Sequence, residues 1–565
     1  MRLFNYGSNF DLFVAYDAGG EYFRFNPSAS QRYFNNSQFA PIGNQELFKS
    51  QKNDRTFRIF VLGESTTIGY PYFHNGSFHR WLQYRLMQTY PDRNFEIINV
   101  SLTAVNSYTV LGFSKEVVHY EPDAVLIYSG HNEYYGALVV GSTQALGNNP
   151  WVVNTILYLR EFKVMQLMNN GYQKLLKSFD KKESKTNLTR METMVAQRQI
   201  PFGSELYDKG VDQFKLNMSE TLDLYQKSDI PVFIGNLISN EKDLPPFISS
   251  SEEHIASKSF SEHYALGEAA LGVHDSLVAL DHFKKANDAF SQHANCNFYL
   301  GSLSYAQKKY REAKIYFAAA KELDELRFRA PDILNTIIYD LTVKYSNTHL
   351  VDVKKEFEND SHSAIIGKEL VVDHVHPNLN GFAVMSDAFY KAIDDAELLS
   401  KGLKKSEISF ERLLKEMPIS KVDSIAGAYR IHVLKENWPY NEQGSKHKIT
   451  SDTYEEKLAY KLLQKKIGWR QVNDSLFAYY NQTGQLEKAR KITKALVLEY
   501  AEDPVFYDKA GMLNAQHQKL GKAIFYITKS FHLRPNYDKA QFLLIHHLKI
   551  ALLKYKKKKI GYYCQ

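Results

Sequence analysis

Short apolar segments alternate with helical patterns between residues 57 and 237, and this alternation restricts the fold more than any other feature. The segments are rich in β-branched and aromatic residues, which is typical of strands buried on both faces. They are Phe57–Leu62, Phe95–Val100, Ala124–Tyr128 and Pro231–Leu237. After the first segment, apolar residues recur at helical spacing at Phe78, Trp81, Leu82 and Leu86. Strands that alternate with helices predict a parallel sheet covered on both faces.

A repeat of 34 residues interrupts this pattern. Leu266-Gly267 matches Leu300-Gly301, and three positions further along match in the same way: Ala279, Phe283 and Ala286 with Ala313, Phe317 and Ala320. Small residues let two antiparallel helices approach, and Phe fills the groove between repeats. The pattern resembles tetratricopeptide (TPR) repeats. A second array is predicted near the C-terminus, where Ala489 and Ala523 are again 34 residues apart.

The strand pattern resumes at His349 to Val353, so the first repeats are predicted to be an insertion. The predicted division is an N-terminal lead-in at 1–55, an α/β domain in two parts at 56–255 and 331–400, inserted repeats at 256–330, and a C-terminal helical region at 401–565. Stacked repeats leave a concave surface. We therefore expect a protein partner to bind the repeats.

Composition excludes several classes of protein. A net charge of +7 over 565 residues argues against a dedicated nucleic-acid binder. Two cysteines, Cys296 and Cys564, cannot form a disulfide framework or a four-ligand zinc site. The sequence contains no run of about 18 apolar residues, so no transmembrane helix is predicted. Its first residues lack the apolar segment of a secretory signal peptide. The chain as written is expected to be soluble; if it is trimmed, a cell-envelope location stays open, so the compartment is not predicted.

Polar side chains stand where the predicted strands end. Ser65 follows the first strand, the stretch Asn99–Ala104 follows the second, and Gly130-His131-Asn132-Glu133 follows the third. Asp373 and His376 lie three residues apart after the apolar pair Val371-Val372, so the carboxylate can orient the imidazole. The carboxyl ends of parallel strands meet at one edge of a sheet, where such folds build their sites. Taken alone, the stretch around Ser65 favours a Ser/Thr-rich turn that caps a helix over a nucleophile.

A metal site is the alternative reading of the histidines. His374 stands next to His376, but no third ligand occurs at a recognisable spacing. We therefore predict no metal and no organic cofactor.

These four blocks resemble those of the SGNH (GDSL-type) hydrolases, and with the repeats they resemble a bacterial group of repeat-containing SGNH proteins. The resemblance implies a three-layer α/β/α, flavodoxin-like domain with a parallel sheet. It implies that Ser65 is the nucleophile, His376 the general base and Asp373 the residue that orients the base. It also implies an oxyanion hole made of the backbone N–H groups of Ser65 and Ala104 and the side-chain amide of Asn132.

The sequence departs from the family pattern at three positions. Glu64 and Glu133 replace the usual aspartates and keep the charge, and Ala104 replaces the usual glycine. If that position needs φ > 0, alanine would be strained by about 1–2 kcal/mol.

The resemblance implies a serine esterase that hydrolyses small O-acyl esters, such as acetyl groups on carbohydrate, through an acyl-enzyme. His131, Glu133 and Asn236 are expected to line the substrate pocket. Two alternatives stay open. One is a TPR interaction protein whose hydrolase-like domain is a scaffold of low activity, which the change at Ala104 favours. The other is an O-acyltransferase that passes the acyl group to a sugar hydroxyl.

Overall fold

The computed structural model describes residues 6–34, 40–139, 141–142, 149–168, 171, 195, 199–250, 258–399, 407–442 and 449–546. Eight strands form two sheets within these residues. They are β1 (Phe13–Ala15), β2 (Tyr22–Phe25), β3 (Leu47–Lys49), β4 (Thr56–Gly63), β5 (Asn94–Asn99), β6 (Ala124–Tyr128), β7 (Val232–Gly235) and β8 (Thr348–Val351).

The larger sheet has five parallel strands in the order β5-β4-β6-β7-β8. In β4, the central stretch Ile59–Val61 is fully buried, because helices cover both faces. Phe60 pairs with Ile98 on one side and Val125 on the other. The predicted parallel α/β sheet is confirmed, and its strands begin and end within three residues of the predicted bounds.

The labelled helices surround this sheet and extend away from it. They are α1 (Ser65–Ile68), α2 (Phe78–Thr89), α3 (Ser107–Val117), α4 (Pro150–Arg160), α5 (Glu205–Lys227), α6 (Lys258–Gly272), α7 (Ser276–Ala289), α8 (Ala294–Ala306), α9 (Tyr310–Glu322), α10 (Asp332–Lys344), α11 (Val353–Asp360), α12 (Leu379–Asp395), α13 (Phe410–Glu416), α14 (Lys421–Glu436), α15 (Tyr454–Leu463), α16 (Trp469–Gln482), α17 (Leu486–Glu499), α18 (Pro504–Gln516) and α19 (Leu520–Leu533). Further helical residues lie at 163–168 and 537–546. In the described part of the chain, no helix combines the length and the apolar character that a bilayer crossing requires.

Antiparallel helix pairs occupy both regions in which repeats were predicted. In the insertion, α6 packs on α7 and α8 on α9; near the C-terminus, α16 packs on α17 and α18 on α19. Gly267 shows why a small residue is needed, since a Cβ atom there would lie 2.8 Å from the ring of Phe283. Membership of these pairs in the TPR class and the predicted domain limits stay predictions. Cys296 is buried in α8, and Cys564 lies outside the described residues.

The N-terminal segment is more ordered than the predicted extended lead-in. β1, β2 and β3 form an antiparallel sheet that packs on β4. The rings of Phe13 and Phe48 each lie 5.7 Å from the ring of Phe60. Three strands of three or four residues are too short to show an alternating pattern, which is why the sequence did not predict them.

The segment around Asp373 differs from the prediction in one respect. Val371 forms only an isolated bridge with Pro377, so Asp373 and His376 lie in a turn before α12 and not at the end of a sheet strand. The N–H of Val372 donates to the carbonyl of His376 (2.8 Å) and closes this turn. Proline has no N–H to continue a ladder, which limits the bridge to one pair.

One buried arginine connects the two sheets. Arg58 on β4 donates from Nε to Glu96 on β5 (2.6 Å) and from its two terminal nitrogens to the carbonyls of Tyr120 (2.8 Å) and Lys49 (2.6 Å). Both side chains of the ion pair are buried, at 1% and 3% exposure. Arg58 therefore ties β3 to the central strands from a buried position.

Replacing Arg58 with methionine is expected to lower the free energy of unfolding by about 3–5 kcal/mol, because Glu96 would stay buried without its partner. Urea unfolding measures the effect. Arg55→Met, at an exposed neighbouring position, is the matched control and is expected to change stability by less than about 0.5 kcal/mol. Equal midpoints for the two variants would contradict the prediction.

Candidate active site

Ser65 lies directly beyond the carboxyl end of the central strand. β4 ends at Gly63, Glu64 is extended, and Ser65 is the first residue of the short helix α1. Gly63 is required by close approach, since a Cβ atom there would lie 2.1 Å from the carbonyl oxygen of Tyr128. The strand therefore turns sharply into α1 and leaves the Ser65 side chain at the edge of the sheet.

His376 joins Ser65 to Asp373 through two hydrogen bonds. Its Nε2 lies 2.8 Å from Ser65 Oγ and its Nδ1 lies 2.6 Å from Asp373 Oδ2. A carboxylate only accepts hydrogen bonds, so Nδ1 carries the proton and Nε2 accepts from the serine hydroxyl. The three side chains form a continuous series in which Ser65 can lose its proton to His376.

The Asp373 carboxylate is held in its charged form. Burial alone would raise its pKa, but the imidazoles of His376 and His374 hold it well below its usual value. Its Oδ1 also accepts the N–H groups of Val375 (2.9 Å) and His376 (2.8 Å). Because these bonds fix both the charge and the orientation of Asp373, they fix the orientation of the His376 ring as well.

Glu64 positions the loop that carries Asn132. Its Oε1 accepts from the hydroxyl of Ser129 (2.7 Å) and the N–H of Gly130 (2.8 Å), and its Oε2 accepts from the N–H groups of His131 and Asn132 (3.1 Å each). Burial and the nearby Glu133 raise the pKa of Glu64 to about 8, against the effect of these donors. Glu64, one residue before Ser65, thus holds the neighbouring loop that carries Asn132.

The loop after β5 contains Ala104, the position at which alanine would be strained if φ were positive. Ala104 adopts φ 62°, in the left-handed region. The Asn132 side-chain amide donates to the carbonyl of Val105 (3.0 Å), and Asn99 holds the loop by donating to Thr67 O (2.8 Å) and accepting from Ser101 N (3.0 Å). An amide has two N–H hydrogens, so Asn132 keeps a second one for a ligand.

The three residues expected to line the pocket differ in their contacts. Glu133 is fully buried and accepts from the backbone and hydroxyl of Ser107 and from Gln213, so it does not face an open cleft. Asn236 bonds with Asp352 (2.7 Å) and with the N–H of Lys354 (2.8 Å), at the start of α11. His131 is buried 3.4 Å from the N–H of Ala330, and burial lowers its pKa, so it is neutral near pH 7.

The C-terminal helical region reaches the site, which sequence reasoning missed. The hydroxyl of Tyr440 lies 2.7 Å from Nδ1 of His374, two residues before His376. Arg430 on α14 donates to the carbonyl of Pro71 (2.6 Å) and lies over the ring of Phe73. Tyr70, just before Pro71, packs its ring 4.7 Å from the ring of His376. No sequence motif marks these residues, because their contacts span up to 359 positions of the chain.

The side chains that could together bind a metal ion belong to the same site. Donor atoms of Asp373, His374 and His376 lie within 4.8 Å of one another, so Asp373 supplies the third ligand that the sequence spacing did not indicate. These side chains already bond to one another and to Tyr440. A cation there would have to displace the hydrogen bond between Asp373 and His376.

Comparisons with solved structures find similar folds at low sequence identity. A GDSL-like lipase from Bacteroides thetaiotaomicron is 10% identical, with 62% of this chain and 93% of that chain covered and a TM-score of 0.28. An acetylxylan esterase from Geobacillus stearothermophilus is 11% identical (60% and 94%, TM-score 0.26), and an alpha/beta hydrolase from the metagenome of Lake Arreo, Spain, is 11% identical (62% and 97%, TM-score 0.27). No protein-family model and no curated protein matches the chain.

His374 makes the stability of the fold depend on pH. Burial lowers its pKa to about 4, so the folded protein holds it neutral while the unfolded chain protonates it below about pH 6.5. The unfolded state then binds more protons between these values, and stability falls as the pH decreases through this window.

We expect His374→Gln to reduce this dependence. Between pH 7 and pH 5, the wild-type protein should lose about 2 kcal/mol more unfolding free energy than the variant. Urea unfolding of both proteins at the two pH values provides the measurement. Parallel losses in the two proteins would show that His374 is not the titrating group.

Proposed function

We propose that this chain is a serine esterase of the SGNH type that hydrolyses small O-acyl esters. The observation that carries the proposal is the hydrogen-bonded series of Ser65, His376 and Asp373 at the carboxyl edge of the parallel sheet. A serine hydroxyl is a weak nucleophile until an adjacent base takes its proton, and Nε2 of His376 stands at the distance this transfer needs.

The first half of the reaction transfers the acyl group to the enzyme. Ser65 Oγ bonds to the ester carbonyl carbon while its proton passes to His376 Nε2, and the carbonyl oxygen becomes an oxyanion. The Asp373 carboxylate stabilises the imidazolium that forms. When the tetrahedral intermediate collapses, the bond to the alcohol oxygen breaks, and this oxygen takes the proton from His376 as it leaves.

Water then hydrolyses the acyl-enzyme, and His376 again transfers the protons. His376, neutral again, takes a proton from a water molecule, and the water oxygen bonds to the acyl carbon. Collapse of the second intermediate breaks the bond to Ser65 Oγ, which recovers its proton from His376. The carboxylic acid leaves, and no metal or organic cofactor enters any step.

The oxyanion is proposed to bind the N–H groups of Ser65 and Ala104 and the free amide hydrogen of Asn132. Support comes from the loop geometry, because Ala104 adopts a positive φ without being glycine. The contacts of Glu64 and Val105 with Asn132 keep that side chain in place before substrate arrives. Preorganised donors of this kind stabilise the charge that develops in the transition state.

Acetyl groups on carbohydrate are the proposed substrates, on the strength of the four sequence blocks. The site around Ser65 is only partly accessible to solvent, because Ser65, Ala104 and Asn132 are each half-buried. Tyr70 packs its ring against the ring of His376, and Arg430 on α14 donates to the carbonyl of Pro71, the residue after Tyr70.

Ser65→Ala is expected to abolish hydrolysis of p-nitrophenyl acetate and labelling by a fluorophosphonate probe. Ser101→Ala is the matched control, because Ser101 also lies beyond a strand at this edge but donates to the carbonyl of Val61. We expect the control to keep both activities. If the wild-type protein neither hydrolyses short acyl esters nor reacts with the probe, the proposal is wrong.

Asn132→Ala is expected to lower kcat by about 10²–10³ with little change in KM, because the amide acts on the oxyanion and not on the bound ester. Steady-state kinetics on p-nitrophenyl acetate separate the two constants, and a melting curve checks that the loop remains folded. A kcat within about threefold of wild type would remove Asn132 from the oxyanion hole.

A further inference from the structure

The α1–α2 loop, residues 69–77, connects Ser65 and His376 with the C-terminal helices. At its start, the N–H of Tyr70 donates to the carbonyl of Ser65 (3.0 Å). The ring of Tyr70 packs against the ring of His376, with 4.7 Å between the ring centroids. Tyr70 is therefore bonded to Ser65 through its backbone and packed on His376 through its side chain.

The backbone of the α1–α2 loop is strained at two consecutive residues. Phe73 adopts φ 58° and ψ −171°, and His74 adopts φ 43°. Positive φ is unfavourable for residues other than glycine, and the combination at Phe73 is one that glycine alone adopts readily. Strained residues of this kind persist where surrounding contacts determine their conformation. The shape of the loop therefore depends on the groups that pack against it.

Helix α14 holds the first half of the loop. Arg430 Nη1 donates to the carbonyl of Pro71 (2.6 Å), and its guanidinium lies over the ring of Phe73, 5.2 Å from the centroid. Gly427, three residues before Arg430, lets the helix approach closely, since a Cβ atom there would lie 2.3 Å from the ring of Tyr72. The residues that directly follow Tyr70 are thus bound to α14 through both backbone and side chains.

Helices α16 and α17 hold the second half of the loop. His74 Nδ1 donates to the Glu499 carboxylate at the end of α17 (2.6 Å), and its ring stacks on the ring of Trp469 at a centroid distance of 4.7 Å. Asn75 is fully buried and donates to the carbonyl of Ala495 (3.0 Å). Both halves of the α1–α2 loop are therefore bound to the C-terminal helices.

The Glu499 carboxylate keeps its charge in this contact. Burial would raise its pKa, but Arg80 on α2 and His74 lower the pKa to about 2. Arg80 Nε donates to Glu499 (3.2 Å), and a terminal nitrogen of Arg80 donates to Glu46 (3.0 Å). A buried charge is strongly disfavoured without its partners, so α17 stays bound to the loop and to the helix that follows it.

We propose that the C-terminal helices position His376, and that Arg430 is the positioning residue through which they act. Arg430 fixes the carbonyl of Pro71, and the fixed backbone places the Tyr70 ring. The hydrogen bond to Asp373 leaves the imidazole free to tilt, and the packed Tyr70 ring restricts this tilt. The proposal rests on the function proposed for Ser65, and Arg430 itself acts on no reacting atom.

The test compares hydrolysis of p-nitrophenyl acetate by full-length variants. Arg430→Ala should lower kcat by about tenfold or more and keep KM within about twofold, because Arg430 acts on the orientation of His376 and not on the bound ester. Arg430→Lys should recover kcat to within about threefold of wild type, since an ammonium group also donates to a carbonyl. Arg490→Ala is the matched control, because Arg490 pairs with Glu487 on its own helix, and it should keep kcat within about twofold.

A double-mutant cycle tests whether Arg430 acts through Tyr70. Tyr70→Ala should lower kcat by a factor similar to that of Arg430→Ala. The double variant Tyr70→Ala/Arg430→Ala should stay within about twofold of Tyr70→Ala, because the ring on which Arg430 acts is already absent. A purely structural role of Arg430 would instead lower the melting temperature without this coupling.

Hydrogen–deuterium exchange gives a measurement that does not depend on activity. In Arg430→Ala, peptides from residues 69–77 should exchange severalfold faster than in the wild-type protein, because the loop opens more often. Peptides from β6 should exchange at the wild-type rate, which shows that the sheet remains folded.

Several results would overturn the proposal. A folded Arg430→Ala with kcat within about twofold of wild type, or an equal loss in Arg490→Ala, would remove Arg430 as a positioning residue. Losses that multiply in the double variant would show that Arg430 does not act through Tyr70. Unchanged exchange of residues 69–77 would show that α14 does not hold the loop.

Two further outcomes are separated by the design. If Arg430→Ala does not fold, His74→Ala removes another contact of the same loop at a side chain that is 33% exposed. It should lower kcat severalfold, and an unchanged kcat would contradict the proposal. If the wild-type protein hydrolyses no ester, the function proposed for Ser65 fails, whereas the exchange experiment still decides whether Arg430 holds the loop.

Discussion

The charged Asp373 carboxylate is the group on which the geometry of the site depends. It is buried, so its charge persists only because three hydrogen bonds and two neighbouring imidazoles surround it. Two of those bonds come from the backbone of the turn that carries His376. The same carboxylate therefore shapes the turn and orients the ring, which explains how the pair can be placed without a strand to support it.

A second buried acidic side chain, Glu64, fixes another loop next to Ser65. Glu64 gathers the hydroxyl of Ser129 and three consecutive N–H groups, and so fixes the loop of Asn132 against the end of β4. The Glu64 side chain is long enough to reach all four donors from the end of β4. Ser65 thus stands between two segments, one held by the Asp373 carboxylate and the other by the Glu64 carboxyl group.

The sequence predicted the features that depend on neighbouring residues, and it missed those that depend on contacts between distant parts of the chain. The strands of the parallel sheet were predictable because each is a continuous apolar run, and Ser65, Ala104 and Asn132 could be placed because they follow those runs directly. β1 to β3 are too short to carry a pattern, and the bridge at Val371 resembles a strand in sequence although Pro377 ends it after one pair. Tyr440 and Arg430 reach the site only through the packing of the C-terminal helices, which no spacing in the sequence encodes.

The inserted helices have a consequence for how the protein is made. Ser65 and His376 are separated by 311 residues, and β8, the last strand of the sheet, is synthesised after the whole insertion. At about 5–20 residues per second, a ribosome needs about 15–60 s to pass from the serine to the histidine. A nascent chain therefore carries Ser65 long before His376 is synthesised, and premature termination anywhere in that interval leaves a polypeptide in which the Ser65 hydroxyl has no imidazole partner.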